Sequence, residues 1–284
     1  MDISQSINWG EHEKSTRFVF YLAAFTFLTL GEWKAPRRPA RISKTLRWTN
    51  NLGVTLLNYL ILRFLLPGSV LFTAHEAFNL HFGLFNWVEV PLIFSIVWTI
   101  IILDITVYYL HRAFHADHRL WKIHRVHHAD LEVDISTSFR FHPLELIMLW
   151  LIKSVVIFLF GLPIMGVFLF EAVLTLSSMF NHSNLRLPLL LDKFLRWFLV
   201  TPDLHRVHHS AKMTEANRNF GFIFSLWDKL FGTYLAEPQK GQMYMRIGLD
   251  AFNDPKYLKG GQILLIPFMD NKGQAAWNNL TKVE

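Results

Sequence analysis

The chain has 284 residues, of which 52% are hydrophobic and 15% aromatic, with 26 Phe and 10 Trp. That is too apolar for a soluble domain and points to a membrane protein with aromatic belts at its interfaces. No cysteine is present, so disulfides and thiolate metal sites are excluded. The net charge of +6 comes from basic residues beside apolar stretches, which suits contact with anionic lipid and leaves no reason to expect a nucleic-acid partner.

The start, MDISQSINWGEHEK, lacks the basic segment of a cleavable signal peptide, so the apolar run at 18–30 is expected to stay as an anchor and a short span. Lys34, Arg37, Arg38, Arg41, Lys44 and Arg47 then crowd a Pro-broken loop, which the positive-inside rule assigns to the cytoplasm. Residues 52–72 form a second candidate span carrying Asn58, Arg63 and Pro67. An arginine at mid-membrane costs about 2.5–3.5 kcal/mol, so Arg63 is expected to face protein or a wet cavity, unless the segment is a tilted or re-entrant helix pair. Residues 75–90 read as a loop or surface helix outside the membrane, and its His75 and His81 are not expected to be ligands.

Residues 91–110 are the clearest span. Asp104, Tyr108, His111 and His115 follow one another at spacings of four, three and four, which makes a single stripe on a helix. Asp104 lies about 10 Å from His111 by helical rise. It is expected to orient a histidine from another segment, the alternative being an intramembrane hydrogen bond to Arg63 or a tyrosine. Residues 144–160 and 167–180, on either side of GLPIMG, read as a helical hairpin that enters and leaves by the same side. Its feet put His142 and His182 on the membrane face of the first histidines, and counting spans from the basic loop places that face in the cytoplasm. Residues 187–200 are too short and too charged to cross and suit an interfacial helix. Pro202 and Asp203 open the next helix, and the rest of the chain is read as soluble or interfacial. The expected architecture is therefore all-α: one membrane-embedded domain over 1–284, with about four transmembrane helices and a cytosolic helical cap.

Eleven of the 14 histidines lie between His111 and His209, in the strings HRAFH, HRVHH and a second HRVHH. Imidazole nitrogen binds iron, zinc, copper and nickel, each with about four to six ligands. Eight clustered imidazoles are too many for one ion and suit two. A histidine-rich loop without metal is the bland alternative; haem ligation between spans is disfavoured because the clusters fall just beyond span ends. With iron, such a site binds dioxygen and attacks C–H bonds of a membrane lipid; with zinc, it favours hydrolysis by activated water, as in a dizinc membrane hydrolase, or storage of metal without redox chemistry. The strings HExxH and GxSxG are absent from the histidine region. No haem, flavin or nicotinamide motif is recognisable, so electrons must come from elsewhere.

HRAFH, HRVHH preceded by Trp121, FHPLE, NHSN, HRVHHS and NFGFIFSLWDKLFGTY, in that order over 97–234, together resemble the fatty acid hydroxylase and sterol desaturase superfamily of membrane di-iron oxidases. The resemblance implies a helical membrane anchor, a cytosolic cap holding two iron ions with zinc as a possible substitute, and a reaction that hydroxylates or desaturates a fatty-acyl or sterol-like substrate using dioxygen. It also implies an external electron donor of ferredoxin or reductase type. Carried over residue by residue, the metal histidines are His111, His115, His124, His127, His128, His205, His208 and His209, with His182 at the family's additional position. One branch resembles HxxxH there, but four residues before His182 stands Ser178, so either that ligand is missing or His142 fills in. His118 fits no cluster and reads as a solvated helix residue. Asn181, Asp203, Asn219 and Asp228 are candidates for hydrogen bonds to ligand Nδ1–H groups, or are caps and turn residues.

Overall fold

The computed structural model describes residues 12–269 as helices joined by loops. The sequence start, read as lacking a cleavable leader, and the tail beyond 269 lie outside the described residues. The first ten helices are α1 (His12–Lys34), α2 (Lys44–Leu65), α3 (Val70–Asn79), α4 (Leu84–Trp87), α5 (Leu92–Ala116), α6 (His118–His128), α7 (Pro143–Phe160), α8 (Ile164–His182), α9 (Leu189–Leu195) and α10 (Pro202–His208). Among the described residues, four stretches are long and apolar enough to cross a membrane: Lys44–Trp87, Leu92–Ala116, Pro143–Phe160 and Ile164–His182. The chain is a multi-pass membrane protein. The run at 18–30 is helical, within α1, but is not one of the four. Its thirteen residues rise only about 20 Å, against a hydrocarbon core of about 30 Å.

The second span is a helix pair broken at Pro67, and Arg63 is exposed in the last turn of α2. The expectation that it faces protein or a cavity therefore fails, because α2 ends at Leu65 and Arg63 is not at mid-span. The hairpin forms as read. α7 ends on Gly161 at φ 62°, where a Cβ would meet Phe82 O at 2.7 Å, so the turn requires glycine. Phe82 stacks on Phe158 at 4.6 Å, which fixes the loop before α4 against the hairpin tip. At eighteen residues, α7 sets the tip about 27 Å from its Pro143 end.

Two cores hold the molecule. Between the spans, Leu103, Val107, Ile157, Val167 and Phe170 are buried, and Gly166 lies so close to Thr99 that a Cβ there would sit 2.7 Å from its Oγ1. Lipid tails are as apolar as these side chains, so close packing at small residues supplies the hold. The cap core is different: Trp121, Val126, Met213, Phe252, Tyr257 and Ile266 leave water, worth about 1.5–3 kcal/mol for each large side chain. The basic stretch 37–47, which is the loop between α1 and α2 together with the first turn of α2, is built into this cap. Arg47 donates to Asp130 at 2.7 and 2.9 Å and to Asp134, Arg37 pairs with Asp203, and Arg38 donates to the carbonyls of Gln242 and Met245. α9 and the two residues after it bury Asp192 and Arg196, which pair at 2.7 Å, and expose Leu190, Phe194 and Trp197. That inside-out amphipathicity fits a helix lying in the membrane interface.

Candidate metal centre

The cap brings nine histidines into two buried groups. Ligand atoms of His111, His115, His124, His128 and His208 all lie within 4.8 Å of one another, and so do those of His127, His182, His205 and His209. Helical geometry explains the sorting. α5 carries His111 and His115 four apart on one face, and Asp117 caps α6 so that the chain folds back over them. In each HRVHH string the outer pair, four apart, joins one group, while the middle histidine, rotated about 100° from its neighbour, joins the other. The first string gives His124 and His128 to the five-membered group and His127 to the four-membered one. The second gives His205 and His209 to the four-membered group and His208 to the five-membered one.

Within the groups the Nε2 atoms converge: His111 to His124 at 3.1 Å, His115 to His128 at 3.2 Å, His182 to His127 at 2.9 Å and His205 to His182 at 3.0 Å. The other ring nitrogen decides what these contacts are. Nδ1 of His111 donates to Phe220 O, that of His208 to Arg218 O, that of His127 to Arg140 O and that of His182 to Ser178 O. Nδ1 of His115 donates to Asn217 Oδ1, and that of His124 to Glu145 Oε1 at 2.7 Å. A carbonyl or carboxylate oxygen only accepts, so Nδ1 carries the proton and Nε2 presents a bare lone pair. Burial first, and then the neighbouring imidazoles, favour the neutral ring at His127, His128, His205 and His209; His208 is pushed down to about 3, burial first and His124 next. Nε2 of both His208 and His209 is buried without a hydrogen-bond partner, one in each group. Lone pairs crowded in this way repel unless a cation lies among them. Nitrogens at right angles on an ion with bonds of about 2.1 Å sit about 3 Å apart, as seen here. The donor sets fit two metal ions.

The remaining sequence candidates do other work. His142 belongs to neither group; it caps α7, its Nδ1 accepting from Leu144 N at 3.2 Å. It does not fill the gap at Ser178, and the second group has four histidines. Asp104 orients no histidine and meets neither Arg63 nor a tyrosine. It accepts from Ile223 N, Phe224 N and Trp227 Nε1, because the loop after α10 folds back against the middle of α5. Asp228 accepts from Phe220 N and Gly221 N, so the two acids together fix the strip whose Phe220 carbonyl holds His111. Asn219, at φ 56°, bonds to Leu204 O and to the backbone of Leu235. Asp203 pairs with Arg37 and Arg206, and Asn181 donates to Phe222 O. None of these side chains holds a ligand ring directly. His118 lies half-buried at the first turn of α6, outside both groups, as do the exposed His75 and His81. Sequence reading missed Glu145, which completes a carboxylate–histidine pair at the metal site. The signal was its place in FHPLE, an acid in the first turn after a proline-opened helix start.

A cavity of about 480 Å³ runs from the five-membered group into the spans between α2, α5, α7 and α8. His111, His124, Glu145 and Phe222 line one part of it, and Leu66, Trp150, Lys153 and Glu171 another; no histidine of the four-membered group touches it. Residues 96–233 match the family model for fatty acid hydroxylase. The chain thus matches the fatty acid hydroxylase superfamily over just under half of its length. Within this superfamily it is similar to an ornithine lipid hydroxylase of Rhizobium tropici, 28% identical over 163 residues, 57% of this chain and 47% of that protein. It is 29% identical over 149 residues to the alkylglycerol monooxygenase of Homo sapiens, covering 48% of this chain and 30% of that one. A sphinganine C4-monooxygenase of Arabidopsis thaliana is 31% identical over 137 residues, 48% and 52% of the two chains. The matches thus span about half or less of these curated relatives. No solved structure matches.

Proposed function

We propose that this fatty acid hydroxylase family member is a dioxygen-dependent, non-haem di-iron oxidase of membrane lipids, and that the reaction is hydroxylation. The observation that carries this reading is the junction of two features: an all-nitrogen cage for two ions, and an apolar cavity that leads from one of them into the membrane-spanning bundle. Two irons held by neutral imidazoles supply dioxygen reduction and oxidation of a C–H bond, whereas the same cage with zinc has no redox role. The balance is a C–H bond, O₂, two electrons and two protons giving C–OH and water, with the electrons brought by a ferredoxin- or reductase-type partner. The activities for which these relatives are named, hydroxylase and monooxygenase, support oxygen insertion over desaturation.

The chain's own residues do the positioning. His111 and His124 would hold an ion where the cavity reaches the histidines, while Phe222 and Phe114 line the passage and keep water away from it. Glu145 fixes the ring of His124, and the Arg218 and Phe220 carbonyls fix those of His208 and His111. The basic loop between α1 and α2 packs on the same cap, so the positive-inside rule puts the metal centre in the cytoplasm. The test is metal analysis of protein made without added zinc, with oxygen uptake and lipid mass spectrometry. About two irons per chain, NADH-linked oxygen use through added reductase, and a lipid heavier by one oxygen are expected. Stoichiometric zinc without oxygen use would replace this reading with the hydrolase, and a product lighter by two hydrogens would replace hydroxylation with desaturation.

A further inference from the structure

Lys153 of α7 and Glu171 of α8 form an ion pair of 2.6 Å inside the membrane-spanning hairpin, with side chains 10% and 19% exposed. Charges are expensive there and are retained where they serve a pathway or a partner. Both residues line the cavity that reaches His111 and His124; its wall is mainly apolar, with Ser69, Thr175 and Ser178 among its uncharged polar residues. The ammonium has three donors and gives one to Glu171 Oε1. We infer that this pair is a binding subsite for a polar group of the lipid, one that lies far along the molecule from the carbon that reacts. The inference deepens the proposed function, since it rests on the cavity being the substrate channel. Lys153 is eight residues beyond Glu145, hence about 12 Å further along α7. Extended C–C bonds of about 1.5 Å advance about 1.25 Å each, so the polar group and the oxidised carbon are roughly ten bonds apart. The substrate class is an amphiphile with a hydroxyl or comparable hydrogen-bonding group at that distance, which donates to Glu171 or accepts from Lys153. A plain hydrocarbon chain would leave the pair unrewarded.

The rival role is a staple between the arms of the hairpin: Lys153 stands eight residues before Gly161 and Glu171 eight after Pro163, which sets them abreast. Photolabelling separates the two. Protein in phosphatidylcholine nanodiscs is exposed to a mid-chain diazirine derivative of hexadecanol or to the matching derivative of hexadecane, and labelled peptides around Leu149 and Leu174 are quantified. The alcohol should label them at least about tenfold more than the alkane, the worth of one hydrogen bond to a charged group. The double variant Lys153→Met/Glu171→Leu should erase that preference and leave alkane labelling unchanged. A preference that persists in the double variant, or alkane labelling that drops in step with the alcohol, overturns the subsite in favour of the staple. Should the double variant fail to fold, Glu171→Gln keeps an acceptor for Lys153 while adding a net positive charge to the cavity. It should shift selectivity at least about tenfold from hexadecanol toward a diazirine hexadecanoate, and unchanged selectivity would refute the subsite. Labelling is read without turnover. A protein that takes up neither probe sinks the channel together with the subsite, whereas one that takes up both equally sinks only the subsite.

Discussion

The two histidine groups differ in what surrounds them. The five-membered group opens on the cavity through His111 and His124, and its His124 is held by a carboxylate, Glu145. The four-membered group is closed off: its Nδ1–H bonds run to the carbonyls of Arg140 and Ser178, and Nδ1 of His205 and of His209 are buried without a partner. A group held by a charged acceptor and facing a lipid passage is built to meet substrate. A sealed group held by backbone is built to support it. An ion held by the five-membered group would therefore lie at the lipid passage, and one held by the four-membered group behind it.

The largest effect should come from removing one ligand of each kind. His124→Ala and His127→Ala are each expected to halve the iron content, from about two per chain to about one, and to abolish product formation in lipid mass spectrometry. If His127→Ala turns over normally with one iron, the four-membered group is dispensable and the division of labour fails.

The next test acts on the sealed group from a distance. Arg47 bonds to Asp130 and Asp134 and so fixes the loop whose Arg140 carbonyl holds His127. Burial raises the carboxyl pKa of Asp130, but Arg47 and then Arg140 outweigh it and hold it down at about 2. Arg47→Leu leaves these carboxylates buried without their cation, at a cost of about 3–5 kcal/mol. Thermal unfolding should begin at a lower temperature, and a chelator should strip one iron well before the other. Simultaneous loss of both irons would show that the groups share one framework.

Much of this was legible in the residues, because the signals are local. Spacings of four put His111 with His115, the turn at Gly161 made the hairpin, and both placed the histidines at one end of the spans. The sharing of imidazoles between the two groups was also encoded, in the rotation between positions four and five of each HRVHH string, but it becomes visible only once α6 and α10 face each other. Long-range partners were not legible at all. Asp104 looks like a helper to a histidine from its stripe on α5, yet its acceptors are used by Ile223, Phe224 and Trp227, more than a hundred residues away. Arg37, Arg38 and Arg47 read as topology signals, and the contact that each also makes within the cap was not visible.

A smaller effect, confined to the open group, is expected for Glu145→Gln. The amide oxygen still accepts from His124 Nδ1, but the negative charge that strengthens the imidazole as a ligand is gone. Metal affinity or turnover should fall about 10–100-fold, with the first iron lost to a chelator belonging to the open group. The order of loss is thus the reverse of that in Arg47→Leu. The same order in both variants would mean that Glu145 does not discriminate between the groups.

The smallest effect is reserved for His142, which sequence reading left between a metal ligand and a residue that supports one. Its ring lies outside both groups, and its Nδ1 accepts from Leu144 N at the start of α7. Loss of a helix cap costs about 0.5–2 kcal/mol, so His142→Ala should lower the unfolding temperature slightly and leave about two irons per chain. His142→Asn, which restores an acceptor at the cap but presents no imidazole, should recover that stability. If His142→Ala instead loses iron and asparagine fails to restore it, the four-membered group has a fifth ligand and is no longer the poorer of the two.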